Sequence, residues 1–188
     1  MSVYTSVSPE ELAAWLAPCG VGPLKSCSGI AAGVENSNYS VDTGNGRFVL
    51  TLFERLAEDV LGFYLGLMAH LAARGYPCPQ PIPARDGALW RPLAGKPATL
   101  VTRLPGSSIE TATEHHCREI GRSLGHLHLL AADYPVHLPN PRGAPWRQET
   151  AARLLPLLPP ADAALLKREI DFQSTQDDRL LPQGVVHA

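Results

Sequence analysis

Cysteine, methionine and aromatic residues are scarce in this chain, and long apolar runs are missing. Its 188 residues hold 4 cysteines, 2 methionines and 6% aromatics. Cys19, Cys27, Cys78 and Cys117 form no C-x-x-C pair, which excludes the common zinc-ribbon and thioredoxin-like spacings. Scattered thiols without an export signal read as reduced side chains. His115, His116, His126 and His128 invite a metal reading. Those on or near one helix share no face at i, i+4 with a carboxylate, so no metal site is assigned. No stretch approaches the roughly 20 apolar residues that a bilayer span needs. The start, Met-Ser-Val-Tyr-Thr, lacks both the basic region and the apolar run of a signal peptide. A cytoplasmic location is therefore expected. The chain also lacks an excess of one charge: its formal net charge is −2. A field that balanced attracts neither nucleic acid nor a membrane surface, so neither is expected as a partner.

What is present is a globular composition, 45% hydrophobic and 18% charged. The length suffices for one sizeable core or for one and a half small lobes. Ser8-Pro9-Glu10-Glu11 is a capping box with proline at the first helical position, so a helix is predicted from Pro9. Leu12, Trp15 and Leu16 form its apolar stripe, and Pro18 and Gly20 stop it. A strand is expected from about Leu24 to Ser28.

The stretch from Gly29 to Glu54 organises the rest. Gly29 and Gly33 flank a short apolar loop whose backbone can approach a ligand closely, because a residue without Cβ leaves room for phosphate oxygens to meet main-chain N–H groups. Two glycines beside a hairpin are also ordinary turn chemistry. Asn38 to Val41 alternates polar and apolar residues. Asp42, Gly44, Asn45 and Gly46 supply residues tolerant of positive φ in a hairpin connection, and Arg47 to Phe53 is rich in β-branched and aromatic residues.

Farther on, Leu61, Leu65, Met68, Leu71 and Ala72 fall at helical spacing between about Ala57 and Arg74, with Gly75 as the stop. Tyr76 to Pro83 is proline-rich and must be extended. A short strand is expected around Leu89 and Trp90, and a buried one from Ala98 to Leu104. A long helix is predicted from Thr113 to Ala132, with Cys117, Ile120, Leu124 and Leu127 on one stripe. Helices around Trp146 to Leu158 and Ala161 to Gln176 follow a polar, proline-rich passage. Strands with one or two helices precede Leu104 and nearly all helix follows, which suggests two lobes of different class. The last residues, Gly184-Val185-Val186-His187-Ala188, resemble the opening of a strand. The expectation is that the sequence has been cut there.

In four segments the chain resembles the homoserine kinases of the aminoglycoside phosphotransferase-like branch of the protein-kinase-like fold. These are Gly29 to Tyr39, Arg47 to Glu54, Leu93 to Ala98 running into Arg103 to Gly106, and the closing Gly184 to Ala188. The resemblance implies an α+β, protein-kinase-like two-lobe fold. Residues 1–104 would form a β-rich, nucleotide-binding N-lobe, and residues 105–188 an incomplete, mainly helical C-lobe. It implies ATP and Mg²⁺ as cofactors and L-homoserine as the small-molecule substrate, within threonine biosynthesis. Gly29, Gly33, Asn36 and Asn38 would lie over the phosphates, and the strand carrying Thr102 and Arg103 would lead to the adenine. His187 would open the catalytic-loop motif in an orienting role, with the Asp base as the next residue and therefore outside the chain. On that reading the 188 residues alone are expected to be inactive.

One position departs from the kinase pattern. The late-strand lysine that binds phosphate is replaced by Thr51. A hydroxyl brings no charge, so phosphate binding must rest on loop amides, metal or another basic residue, for which Arg55 is a candidate. Glu58 is a candidate for the superfamily's acidic ion-pair partner, and helix first turns favour acids in any case. Other substrates on this fold, such as choline, an aminoglycoside or methylthioribose, remain open, as does a nucleotide-binding module without catalysis.

Overall fold

The computed structural model describes residues 3–176 and 184–185. Ser8 caps the first helix, α1 (Pro9–Leu16), as the sequence predicts. The Ser8 hydroxyl accepts from Glu11 N at 3.2 Å, and the Glu11 carboxylate accepts from Ser8 N at 3.1 Å. Leu12, Trp15 and Leu16 are buried, and the helix passes through a 3₁₀ turn into left-handed Gly20.

Five strands follow: β1 (Leu24–Gly29), β2 (Asn36–Thr43), β3 (Gly46–Phe53), β4 (Arg91–Leu93) and β5 (Lys96–Thr102). They form one antiparallel sheet in the order β1-β2-β3-β5-β4. Side chains alternate between faces along each strand. Tyr39 and Val41 of β2, Phe48, Leu50 and Leu52 of β3, and Ala98 and Leu100 of β5 gather with the α1 stripe into one core. Arg91 ties β4 to α1: its guanidinium lies 4.4 Å over the Trp15 ring and donates to the Trp15 carbonyl.

Two turns differ from expectation. The β2–β3 connection is Gly44-Asn45, and of the four residues expected to supply positive φ only Gly46 has it, at 155°. Tertiary contacts hold this turn instead. Gly44 N donates to Pro23 O, Asn45 N to Val21 O, and the Thr43 hydroxyl to Val21 O at 2.5 Å. The strand expected at Leu89 and Trp90 lies two residues later. Asp86 Oδ1 accepts from Ala88 N, and Ala84 N donates to Ala88 O, which spends that stretch on a turn. Ala94 and Gly95 both take positive φ, 50° and 74°, in the two-residue β4–β5 hairpin turn, and so fix where the strands begin. The last strand stops at Thr102 and does not reach Leu104. The proline-rich passage runs extended along the edge of β5: Ile82 N donates to Leu100 O, and Thr102 N to Gln80 O.

Helix α2 (Glu58–Ala73) buries Leu61, Leu65 and Leu71 as its spacing requires. Helix α3 (Glu114–Ala131) packs against it through its second half. Tyr76 Oη lies 2.9 Å from Ser123 Oγ, and His70 Nε2 lies 3.0 Å from both Leu130 O and Asp133 Oδ1. Tyr134 donates to Phe63 O at 3.0 Å. The stripe expected on α3 is therefore only partly used: Leu124 and Leu127 are half-buried, while Cys117 and Ile120, in the first half, are exposed. Residues up to Val136 form one compact unit, and a second begins at His137. The second holds α4 (Ala144–Leu154), a 3₁₀ turn and α5 (Pro160–Ser174), with Ala151 buried. The strand expected to open at Val185 falls largely outside the described residues.

Candidate functional site

The sheet face opposite α1 follows from register. Residues paired across antiparallel strands share a face, so Asn36 stands beside Phe53, Asn38 beside Thr51 and Thr99, and Ser40 beside Val49 and Val101. Loop 30–35, between β1 and β2, closes one end of this face. Its Ile30 N donates to Asn38 O at 2.8 Å. Gly33 takes φ +109°, a conformation L side chains rarely adopt, and a Cβ there would meet Asn38 Nδ2 at 3.4 Å. Glycine here lets the loop backbone come down close to Asn38.

Thr51 donates its hydroxyl proton to Asn38 Oδ1 at 2.8 Å. The two form a neutral polar pair on the face that loop 30–35 adjoins. Arg103 supplies positive charge toward the other end of the face. Its backbone N–H donates to Arg47 O, and its guanidinium to Ser40 Oγ at 3.3 Å. Arg47, Arg103, Leu104, Pro105 and Gly106 line an open cavity of about 390 Å³.

Glu54, just past β3, falls by alternation on the α1 side. Its Oε1 accepts from the buried Ser37 hydroxyl at 2.6 Å, and its Oε2 lies 3.3 Å from Lys96 Nζ. Burial alone would disfavour its charge. Hydrogen bonds from Ser37, Thr5 and Lys96, with the Lys96 charge, outweigh that and hold the carboxyl below the usual glutamate range. This pair braces the sheet end and does not face Asn38 and Thr51.

The structure thus brings Gly33, Asn38 and Thr51 together, with Asn36 one position along the same face. Gly29 ends β1 opposite Tyr39. Arg103 sits at the cavity end. Thr102 pairs with Phe48 and therefore belongs to the α1 side, where its hydroxyl accepts from Gln80 N at 2.9 Å. Arg55 is exposed. Glu58 makes no ion pair among the described residues, and the ion pair near this sheet end is Glu54 with Lys96. His187 lies outside the described residues. Ser40 and Arg47 were not singled out in the sequence, although counting by twos from Asn38 finds Ser40 on the same face. Among the described residues no group of three or more His, Cys, Asp or Glu side chains could hold a metal ion, and no helix is long and apolar enough to cross a membrane.

The profile of the phosphotransferase enzyme family matches residues 26–188. A homoserine kinase of Cupriavidus pinatubonensis is 47% identical, covering 100% of this chain and 59% of the relative. One from Cupriavidus taiwanensis is 49% identical over 93% of this chain and 53% of the relative, and one from Methylobacillus flagellatus is 43% identical over 100% and 59%. This chain therefore spans between 53% and 59% of the length of these relatives. A crystal structure of spectinomycin phosphotransferase in complex with ADP and spectinomycin superposes with a TM-score of 0.62 at 14% identity, over 93% of this chain and 59% of that one. That likeness is one of fold, and the α+β, protein-kinase-like architecture read from the sequence is the one found.

Proposed function

The chain belongs to the phosphotransferase enzyme family, and from this premise we propose that it is the nucleotide-binding part of an ATP-dependent homoserine kinase. The reaction is transfer of the γ-phosphoryl group of ATP to the hydroxyl of L-homoserine, in threonine biosynthesis, by an enzyme of the cytoplasm. The observation that carries this reading is loop 30–35 with Gly33 at φ +109°, lowered onto the Asn38–Thr51 pair at the end of an antiparallel sheet. Main-chain N–H groups of such a loop can hold phosphate oxygens, and a loop without bulk lets them approach.

Residues 1–104 then act as the nucleotide lobe, and the helices after them begin the lobe that receives the alcohol. Gly33, Asn36, Asn38 and Thr51 line the phosphate end and Arg103 the adenine end, while Gly29, opposite Tyr39, faces the α1 side and flanks the loop without lining it. Thr102 contributes by holding the 80–82 segment along β5. Mg²⁺, arriving with the nucleotide, would neutralise phosphate charge. Asn38 and Thr51 bring no charge of their own, which leaves neutralisation of the phosphates to the metal and to the loop amides.

ADP release by the whole protein, measured with L-homoserine, choline, spectinomycin and methylthioribose, tests the reading. Homoserine-dependent release well above the other three is expected. Release that ignores homoserine, or prefers another alcohol, overturns it.

A further inference from the structure

We propose that the N-terminal segment Val3–Thr5 is a strap that positions the glycine loop and thereby sets nucleotide affinity. The second half of this statement rests on the reading of loop 30–35 as the nucleotide cover. The strap touches the loop at both ends. At its start, a Cβ on Gly29 would lie 2.8 Å from Val3 Cγ2, so the absence of a side chain at Gly29 is what lets Val3 lie there. At its end, the Tyr4 hydroxyl donates to Val34 O at 3.0 Å. Between these contacts the strap is fastened to the sheet. Tyr4 N and Thr5 N both donate to Ser37 Oγ, at 2.8 and 3.0 Å, and the Tyr39 hydroxyl donates to Thr5 O at 2.6 Å.

Ser37 is the fixed point. It is fully buried, it accepts the two strap amides, and it gives its own proton to Glu54, whose charge Lys96 balances. A hydroxyl has one proton to give and lone pairs to receive, and Ser37 uses both capacities. The anchoring is therefore independent of nucleotide, whereas the Tyr4–Val34 contact bears on the loop alone. Tyr4 is 59% exposed and Val34 81% exposed, so the global fold depends little on that hydrogen bond. A loop already held in its binding conformation loses less freedom when a ligand arrives. Releasing Val34 should loosen the loop and weaken nucleotide binding, with no change in the groups that meet the nucleotide.

The experiment compares wild type with Tyr4→Phe, which removes only the hydroxyl. Without nucleotide, amides of residues 31–34 should exchange faster in the variant while those of α1 and the melting temperature stay unchanged. With Mg²⁺-ATP, the dissociation constant should rise about 2- to 10-fold, the range of one net hydrogen bond. In whole-protein assays KM for ATP should rise with kcat held. Gly29→Ala should act in the same direction by displacing Val3, and Gly29→Ala with Val3→Ala should recover part of the loss. Unchanged exchange at 31–34 overturns the strap. Faster exchange with unchanged affinity overturns its role in binding. A wild-type protein that binds no nucleotide overturns that role together with the proposed function, and the exchange data then decide the strap by themselves.

Discussion

Thr51 Oγ1 stands 2.8 Å from Asn38 Oδ1 and donates to it, on the sheet face closed by loop 30–35. The pair is neutral, so the proposed phosphate end has no cation at this position.

Thr51→Lys should therefore tighten Mg²⁺-ATP binding several-fold. Thr51 is half-buried, and the long lysine stem can lie along the sheet while its ammonium reaches outward. Isothermal titration of variant and wild type checks this. Weaker binding with an unchanged melting temperature would mean that the phosphates lie elsewhere.

Gly33→Val should leave the fold intact and weaken ATP binding. At φ +109° any L side chain is strained, by about 1–3 kcal/mol for such backbone positions. The strain is relieved locally, because the loop is exposed. Circular dichroism should be unchanged while ATP affinity drops; equal affinity would take the loop out of the site.

Acid should loosen the sheet end through Glu54. Its folded-state pKa lies below its unfolded value. The stability it contributes is therefore present above the unfolded value, about 4.3, and is lost as pH falls through the folded value. Asp133 is shifted the same way, first by its hydrogen bond from Arg74 and also by the charges of Arg74 and His70. The wild-type decline thus contains both groups. Melting temperatures followed from pH 7 downward should fall less steeply in Glu54→Gln than in wild type, and parallel curves would refute the assignment to Glu54.

Two glycines of α2 should respond in opposite directions to alanine. Nothing lies within 4 Å of a Cβ built on Gly62, so Gly62→Ala should gain about 0.5–1 kcal/mol from helix propensity. A Cβ on Gly66 would fall 2.5 Å from the Tyr134 hydroxyl. That hydroxyl is committed to Phe63 O, and its ring packs edge-on against Phe63 and His70. Gly66→Ala should consequently destabilise despite its better propensity, and adding Tyr134→Phe should restore part of the loss. Urea titrations of the three variants decide it.

Local chemistry wrote much of this fold into the sequence. Ser8 and Glu11 announced α1 because a capping box closes within one turn. Leu61, Leu65 and Leu71 announced α2 because their spacing matches a helical face, and the alternation of Tyr39 and Val41 with polar Asn38 and Ser40 announced β2 by its period of two. Gly33 was legible as a loop glycine beside a hairpin. The α3 stripe misled at Cys117 and Ile120, since periodicity marks a face but does not say how much of it a neighbour covers.

Tertiary structure decided the rest, because each remaining feature joins residues far apart in the chain. Register, set by the Gly44-Asn45 and Ala94-Gly95 turns, put Thr51 against Asn38 and sent Thr102 to the opposite face. Glu54 met Lys96, 42 residues on, while Glu58, the acid considered as an ion-pair partner, forms no ion pair among the described residues. Tyr4 reached Val34 across 30 residues. A sequence shows which residues can pair and which face each will occupy once its strand begins. The local turns set register within each hairpin, whereas the pairing of β3 with β5 joins distant parts of the chain and completes the face on which Asn38, Thr51 and Thr99 meet.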